Sequence, residues 1–393
     1  MEIKDIDRFL GPDLKTYDPY DLWKTGLGLK LKKLYYEKGK IAIPLVAPFY
    51  LLDAFAPRLV RLCMRPQEYP IVRALATLAT LNFYEITLDR KYLDLAACSV
   101  DWLIANQSPG YGGACWGLNM RWMTKTGYSP AETPFVTHTP YCVEALLKFH
   151  DVTKDEKARD VALSSLEFLE NHLRKLIDEP HRLALSYGPS FGSRIVINGN
   201  SYAMMMYALL AESLPGQREM LREKALRLFN FLKTSQNRDG SWLYYADNEE
   251  GNFIDCFHSC FVLKNMLKSG KRLGVDISDP VDRGLEYVLE NFLDGKFFLA
   301  RRFSLSTNPS LTKFDLYDQA ELLNVLLLAG RTALAEKLYA SIMKHFYIPA
   351  KGTFGSQIDL FGILHRMTYL RWAVMPMIYA LSAYWKVAES GKR

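Results

Sequence analysis

A chain of 393 residues with 49% hydrophobic and 23% charged residues can bury a large core, which excludes intrinsic disorder. The formal charge of +6 comes from 49 basic and 43 acidic residues spread over outward-reading helix faces. Phosphate binding needs a basic stripe, so no nucleic-acid partner is expected.

The N-terminal run MEIKDIDRFLGPD carries acids and no apolar stretch, so no secretory signal is expected. One or two helices are expected around 15–38. Their basic cluster, Lys30, Lys32, Lys33, Lys38 and Lys40, with Tyr35 and Tyr36 between, reads as a solvated face more readily than as a membrane or partner contact. Residues 43–64 are apolar, but Pro44, Pro48, Asp53, Pro57, Arg58 and Arg61 interrupt them, so no membrane span is expected. Cysteines at 63, 98, 115, 142, 256 and 260 read as small hydrophobes and not as a disulfide framework. A soluble, cytoplasmic protein is expected.

Apolar residues then recur at helical spacing, predicting helices near 45–64, 68–88, 91–107, 135–151, 154–176, 198–213, 216–236, 253–270, 277–293, 315–329, 331–346 and 364–388. Related loops follow alternate helices: residues 105–110, 234–242 (ending Asp239-Gly240-Ser241-Trp242) and 291–295. Such repeats mark helical hairpins, which cannot bury an apolar face alone and must stack on neighbours. An open solenoid would show the same local pattern. However, short joins such as 152–154 alternate with long aromatic ones such as 107–134, which favours a closed ring with one decorated mouth. The predicted fold class is all-α: an (α/α)6 toroid forming one domain over 1–393, with 1–40 a helical extension and 41–393 the ring.

Four stretches carry candidate chemistry. Trp116, Asn119 and Arg121 precede His138, which opens a helix and reads equally as a ligand group or a packing histidine. Tyr187 and Arg194 precede Asn198 and Asn200, where capping of free amides competes with ligand binding. Trp242 and Tyr245 lead to Asp255 and His258, which three-residue spacing places on one helix face, so that the carboxylate can orient the imidazole for acid–base work. Cys256, His258 and Cys260 do not read as zinc ligands, because alternating helical positions point apart. Arg301, Arg302, Asp315, Tyr317, Asp318, Arg371 and Trp372 form the last group, in which arginines grip an acidic sugar or pair with the aspartates. No metal or other cofactor is expected.

In this order, Ser108 to Trp122, Pro134 to Tyr141, Ser186-Tyr187-Gly188-Pro189, Gln236 to Trp242, Asp255 to Ser259 and Leu370-Arg371-Trp372 resemble a poorly characterised family of α/α-toroid proteins. That family is encoded with exopolysaccharide and capsule biosynthesis machinery. The Asp-Gly-Ser-Trp turn is also similar to the turns of prenyltransferase-like toroids, and the order of elements to uronyl C5-epimerases and polysaccharide lyases. The chain departs from the family at Asn119-Met120-Arg121, where acids are usual, and at Ala373-Val374. The resemblance implies a carbohydrate-active protein of polysaccharide biosynthesis that takes an acidic, polymeric or lipid-linked glycan. As a uronate epimerase or lyase it would use His258, oriented by Asp255, or else His138 as base, and Tyr187, Tyr245 or Tyr317 as acid. Arg301 and Arg302 as a pair, or Arg194, would sit on the carboxylate, and Trp116, Trp242 and Trp372 would stack on sugar faces. A glycoside hydrolase with paired carboxylates among Asp239, Asp255, Asp315 and Asp318 is a second reading. A non-catalytic scaffold that holds a glycan or a glycosyltransferase is a third.

Overall fold

The computed structural model describes residues 5–124, 127–190, 192–306 and 310–390. Three helices come first: α1 (Gly26–Lys38), α2 (Ile43–Phe55) and α3 (Pro57–Leu62). Alternating inner and outer helices follow, α4 (Pro70–Thr87), α5 (Lys91–Ala105), α6 (Thr139–Thr153), α7 (Glu156–Ser164), α8 (Ile197–Ser213) and α9 (Arg218–Thr234). The ring is completed by α10 (Cys256–Leu273), α11 (Ser278–Phe292), α12 (Leu316–Leu328), α13 (Thr332–His345) and α14 (Met375–Ser390).

Burial explains which helix takes which layer. The inner helix α8 is buried without a break from Ile197 to Ala211, as an all-round apolar helix must be. The outer helix α11 buries Val281, Leu285, Val288 and Phe292 and turns Asp282, Glu286 and Glu290 to solvent. Each inner helix packs on the next, from α4 through α6, α8, α10 and α12 to α14, and α14 returns to α4. Asn82 donates to Ser382 across that closure at 2.9 Å. The architecture is the expected all-α toroid, closed and not an open solenoid.

Three predicted helices are shorter than their apolar pattern. The 45–64 run breaks before Pro57, which has no N–H to continue the ladder. The 154–176 run ends as a helix at Ser164, passes through a wide turn at Phe168–His172 and leaves as a strand. The 364–388 run becomes regular only from Met375. Short strands decorate one mouth: β1 (Trp122–Thr124), β2 (Gly127–Ser129), β3 (Lys175–Asp178), β4 (Leu183–Leu185), β5 (Ile254–Asp255) and β6 (Phe303–Leu305). The rest are β7 (Thr312–Asp315), β8 (Tyr347–Ile348), β9 (Thr353–Phe354), β10 (Gln357–Asp359) and β11 (Leu364–His365).

The repeated glycine–tryptophan turns are structural wedges. Trp116 donates its indole N–H to the Leu103 carbonyl at the end of α5, and Trp242 does the same to Leu232 in α9, at 3.0 and 2.9 Å. A Cβ on Gly113 would lie 2.0 Å from the Ser164 carbonyl, and one on Gly240 2.3 Å from the Arg283 carbonyl. Each turn therefore slots between one outer helix and the next, and only glycine lets the backbone approach that closely.

The ring axis is polar. Lys264 of α10, with its side chain 1% exposed, donates to Glu321 of α12 at 2.5 Å and to the Tyr141 hydroxyl of α6 at 2.7 Å. Tyr141 in turn meets the Tyr202 hydroxyl of α8 at 2.6 Å. One turn along, Lys268 bonds Glu144 at 2.7 Å and Tyr379 of α14 at 3.2 Å. These lysines, expected on outward faces, point inward because a ring of six apolar helices leaves a hollow that only long side chains can cross. Removing one member of a buried pair leaves an unpaired charge. Lys264→Met is therefore expected to lower unfolding free energy by about 3–5 kcal/mol in urea denaturation, and Lys264→Met combined with Glu321→Leu to recover most of that loss.

Candidate active site

The inner-helix ends and the mouth loops enclose a groove of about 330 Å³. Its chemistry is concentrated at the start of α10. Strand β5 delivers Asp255 in extended conformation to the N-cap, where its carboxylate accepts from the His258 amide at 3.3 Å. The same carboxylate meets His258 Nδ1 at 2.7 and 2.8 Å. This geometry fixes the ring and leaves Nε2 for a ligand. The imidazole lies tilted against Phe257, with ring centroids 3.8 Å apart, and meets Tyr244 edge to face at 4.7 Å, yet remains partly exposed to the groove.

Arg302 lies beside this pair. Its guanidinium sits 4.0 Å over the Phe257 ring, 3.9 Å from Asp255 and 3.3 Å from Asp318. Burial opposes its charge, but Asp318, Asp255 and Asp315 outweigh burial and raise its pKa, so it is a permanent cation. Burial pushes Asp318 well above the ordinary carboxylate range and raises Asp315 as well, with Arg302 opposing in both cases. Asp318 also accepts from the Phe257 amide at 3.0 Å, and Asp315 accepts the Trp372 indole N–H at 3.0 Å. These two aspartates hold Arg302 and Trp372 in position and do not line the main groove.

Across the groove, His138 precedes α6 and meets Thr137 Oγ1 at 3.1 Å, which in turn meets the Tyr187 hydroxyl at 3.0 Å. Burial, reinforced by the Arg371 charge, lowers the His138 pKa to about 3, and burial raises Tyr187 to about 12. Tyr317 stacks on Phe257 with centroids 5.4 Å apart, and burial raises its pKa. Asn198 also lines the groove, and its buried Oδ1 has no hydrogen-bond partner among the described residues. Such an orphaned acceptor is a ready seat for a ligand hydroxyl. Arg371 reaches the groove already held by buried Asp18, 2.8 Å from its Nη2, and Trp372 forms one wall.

Other candidates lie elsewhere. Trp116 and Trp242 are buried wedges and cannot stack on a sugar. Asn119 takes a left-handed conformation, φ 52°, and donates to the Glu68 carbonyl, while Arg121 is exposed away from the groove. Asn200 caps no amide of its own helix, since its side chain holds the Leu185 N–H and C=O and so pins β4 to α8. Arg301 and Arg302 do not act as a pair, because Arg301 bonds Asp294 at 2.9 Å while Arg302 turns to Asp318. Arg194 forks onto Asp247 at 2.9 and 2.7 Å and lies 3.7 Å over Tyr245. Those two line an adjoining hollow that shares Tyr187, Leu118 and Trp122 with the main groove. Asp239 bonds its own turn, at Ser241.

Residues that sequence reasoning passed over complete the wall: Tyr20, Trp122, Phe253 and Phe303. Tyr20 and Asp18 arrive from the N-terminal segment, and no local pattern places them here. Trp122 does sit in the glycine-rich run already singled out, and its aromatic density was the available signal.

No family model and no curated protein matches the chain. Solved structures do. A cellobiose 2-epimerase from Bacillus thermoamylovorans superposes with a TM-score of 0.65 at 13% identity, over 82% of this chain and 88% of that one. The shared property is the toroid. A D-mannose isomerase (TM-score 0.62, 11% identity, 82% and 87% covered) and an α-mannanase from Bacteroides thetaiotaomicron (0.62, 11%, 82% and 88%) share it too. So does a polysaccharide lyase, with a TM-score of 0.57 at 12% identity over 82% of this chain and 92% of that one.

The low His138 pKa makes a stability prediction. An unfolded histidine takes up its proton near pH 6.5, whereas the folded one stays neutral down to about 3. The unfolded state binds more protons across that window, so this contribution is complete above about pH 6.5 and shrinks as pH falls. Between pH 7 and about 4.5, wild type is expected to lose about 2–3 kcal/mol more unfolding free energy than His138→Gln in urea titrations.

Proposed function

We propose that the chain is a carbohydrate-active enzyme that moves a proton at a sugar carbon next to a carbonyl or carboxyl group. The observation that carries this reading is the Asp255-oriented imidazole of His258 beside the permanent cation Arg302, in an aromatic groove of a size suited to sugar rings. The fold likeness agrees with it, since an epimerase, an isomerase and a lyase of sugars are among the neighbours. In the proposed step His258 Nε2 takes the proton. The electron pair of the broken C–H bond moves into the adjoining carbonyl, and Arg302 stabilises the resulting oxyanion. Return of a proton to the opposite face from the groove-lining Tyr187 hydroxyl gives the epimer, and loss of a leaving group from the next carbon, protonated by the same hydroxyl, gives the elimination product. Neutral His138 and the orphaned Asn198 oxygen would hold sugar hydroxyls, and Trp372 and Trp122 would flank the ring.

The charge arrangement favours a neutral sugar over an acidic glycan. Arg194, Arg301 and Arg371 each already face a carboxylate, so none adds a second cation beside Arg302 to hold a uronate. A two-carboxylate hydrolase finds less support, because Asp255 is the one carboxylate among the described lining residues. A purely binding scaffold would not require histidines and arginines along its groove. The placement in polysaccharide assembly, with a lipid-linked glycan or a glycosyltransferase partner, rests on the sequence resemblance.

The test is solvent deuterium incorporation, monitored by mass spectrometry, into a panel of neutral reducing oligosaccharides and of uronate polymers. Label is expected in the neutral arm with wild type. His258→Ala should slow it by on the order of 10²–10⁴-fold, the range of general base catalysis, and Asp255→Asn should also slow it by loosening the imidazole. Incorporation that His258→Ala leaves intact would remove the proposed base.

A further inference from the structure

We propose that α2, α3 and the neighbouring 360–363 loop form a docking surface for an anionic lipid bilayer, holding the mouth of the groove at the membrane. No residue of α2 is buried, although the helix reads IPLVAPFYLLDAF. A helix that is apolar all round is normally buried. Here Ile41 is 83% exposed, Leu62 82% and Phe361 75%, and Leu45, Leu51, Leu52, Phe55, Leu59, Leu360 and Ile363 are exposed as well. The two segments are continuous, because Phe55, Pro57 and Leu59 share one hollow with Ile363 and Leu364. This concentration exceeds the scattered apolar exposure of ordinary surfaces.

Charge identifies the occupant. Residues 30–65 hold eight of the 49 basic residues and two of the 43 acidic ones, so the remaining 41 of each cancel and this segment carries the whole net charge of +6. Lys30, Lys33, Lys38, Lys40, Arg58 and Arg65 are exposed around the apolar helix. Lys32 instead turns inward, its Nζ 3.1 Å over Trp122, and Arg61 lies over Tyr369. Apolar side chains ringed by cations match an anionic bilayer, which offers a negative surface above a hydrocarbon layer. The helix lies in that interface, since no helix among the described residues is long and apolar enough to cross a membrane.

The surface is tied to the groove. Tyr50, Asp53, Ala54 and Pro57 line a cavity whose other walls include Tyr20, Arg302, Phe303 and Trp372, all four of which also line the groove. Docking thus presents the groove to glycans carried at the lipid surface. That consequence rests on the function proposed above, whereas the docking itself does not.

Flotation with vesicles tests it. Wild type is expected to float with phosphatidylglycerol–phosphatidylethanolamine vesicles, less so as salt rises, and not with phosphatidylcholine alone. Leu51→Asp with Leu52→Asp and Phe55→Asp should abolish flotation, and Lys33→Glu with Lys38→Glu and Lys40→Glu should weaken it by about tenfold or more. Both variants should keep the wild-type melting temperature. Absence of flotation by wild type, or flotation indifferent to lipid charge, overturns the proposal. So does sedimentation showing a dimer that the apolar substitutions dissociate while vesicles go unbound, because the surface then belongs to a second copy. Flotation involves no turnover, so its failure is separable from a failure of the deuterium assay.

Discussion

Six apolar helices closed into a ring enclose a hollow, and the buried contact of Lys264 with Glu321 and Tyr141 fills it. That contact joins α6, α10 and α12 below the groove, and through the Tyr141–Tyr202 hydroxyl pair it reaches α8. The hydroxyls of Tyr141 and Tyr202 belong both to this axis and to residues that line the groove. The depth of the groove is therefore set by a polar plug, and the position of every side chain above it follows from how the inner helices are spaced.

On that floor the mouth is arranged by electrostatics. Three carboxylates, Asp255, Asp315 and Asp318, converge near one guanidinium, and each has a second task. Asp255 orients His258, Asp315 holds the Trp372 indole, and Asp318 accepts the Phe257 amide. The cluster couples the starts of α10 and α12 to the segment just before β6 that carries Arg302, so the His258 imidazole, the guanidinium and the aromatic wall are fixed together. The same economy appears at Arg371, which Asp18 of the N-terminal segment neutralises from outside the ring.

Much of this was legible in the sequence, and what was not has physical reasons. Hairpin periodicity gave the toroid, and the three-residue spacing of Asp255 and His258 gave the dyad, because both are local properties. The tryptophans of the glycine turns misled: Trp116 and Trp242 have the composition of a sugar platform but fill a repeated gap between outer helices. Adjacent Arg301 and Arg302 misled for another reason, since Arg301 turns to Asp294 and Arg302 to Asp318. Lys264 and Glu321 could not be recognised as partners, because the ring alone brings together residues on different helices. Tyr20 and Asp18 were out of reach of any local pattern, as the chain crosses the whole ring before meeting them.

The central claim is that a sugar sits with its reacting carbon at His258 Nε2. A crystal structure of the protein soaked with an open-chain disaccharide alditol, a stable mimic of a ring-opened reducing sugar, tests it most directly. The account predicts an alditol carbon within contact of His258 Nε2, a neighbouring hydroxyl on Arg302 and another on Asn198 Oδ1. An alditol bound in the groove with His258 still covered by Phe257 and Tyr244 and untouched by the ligand would contradict it.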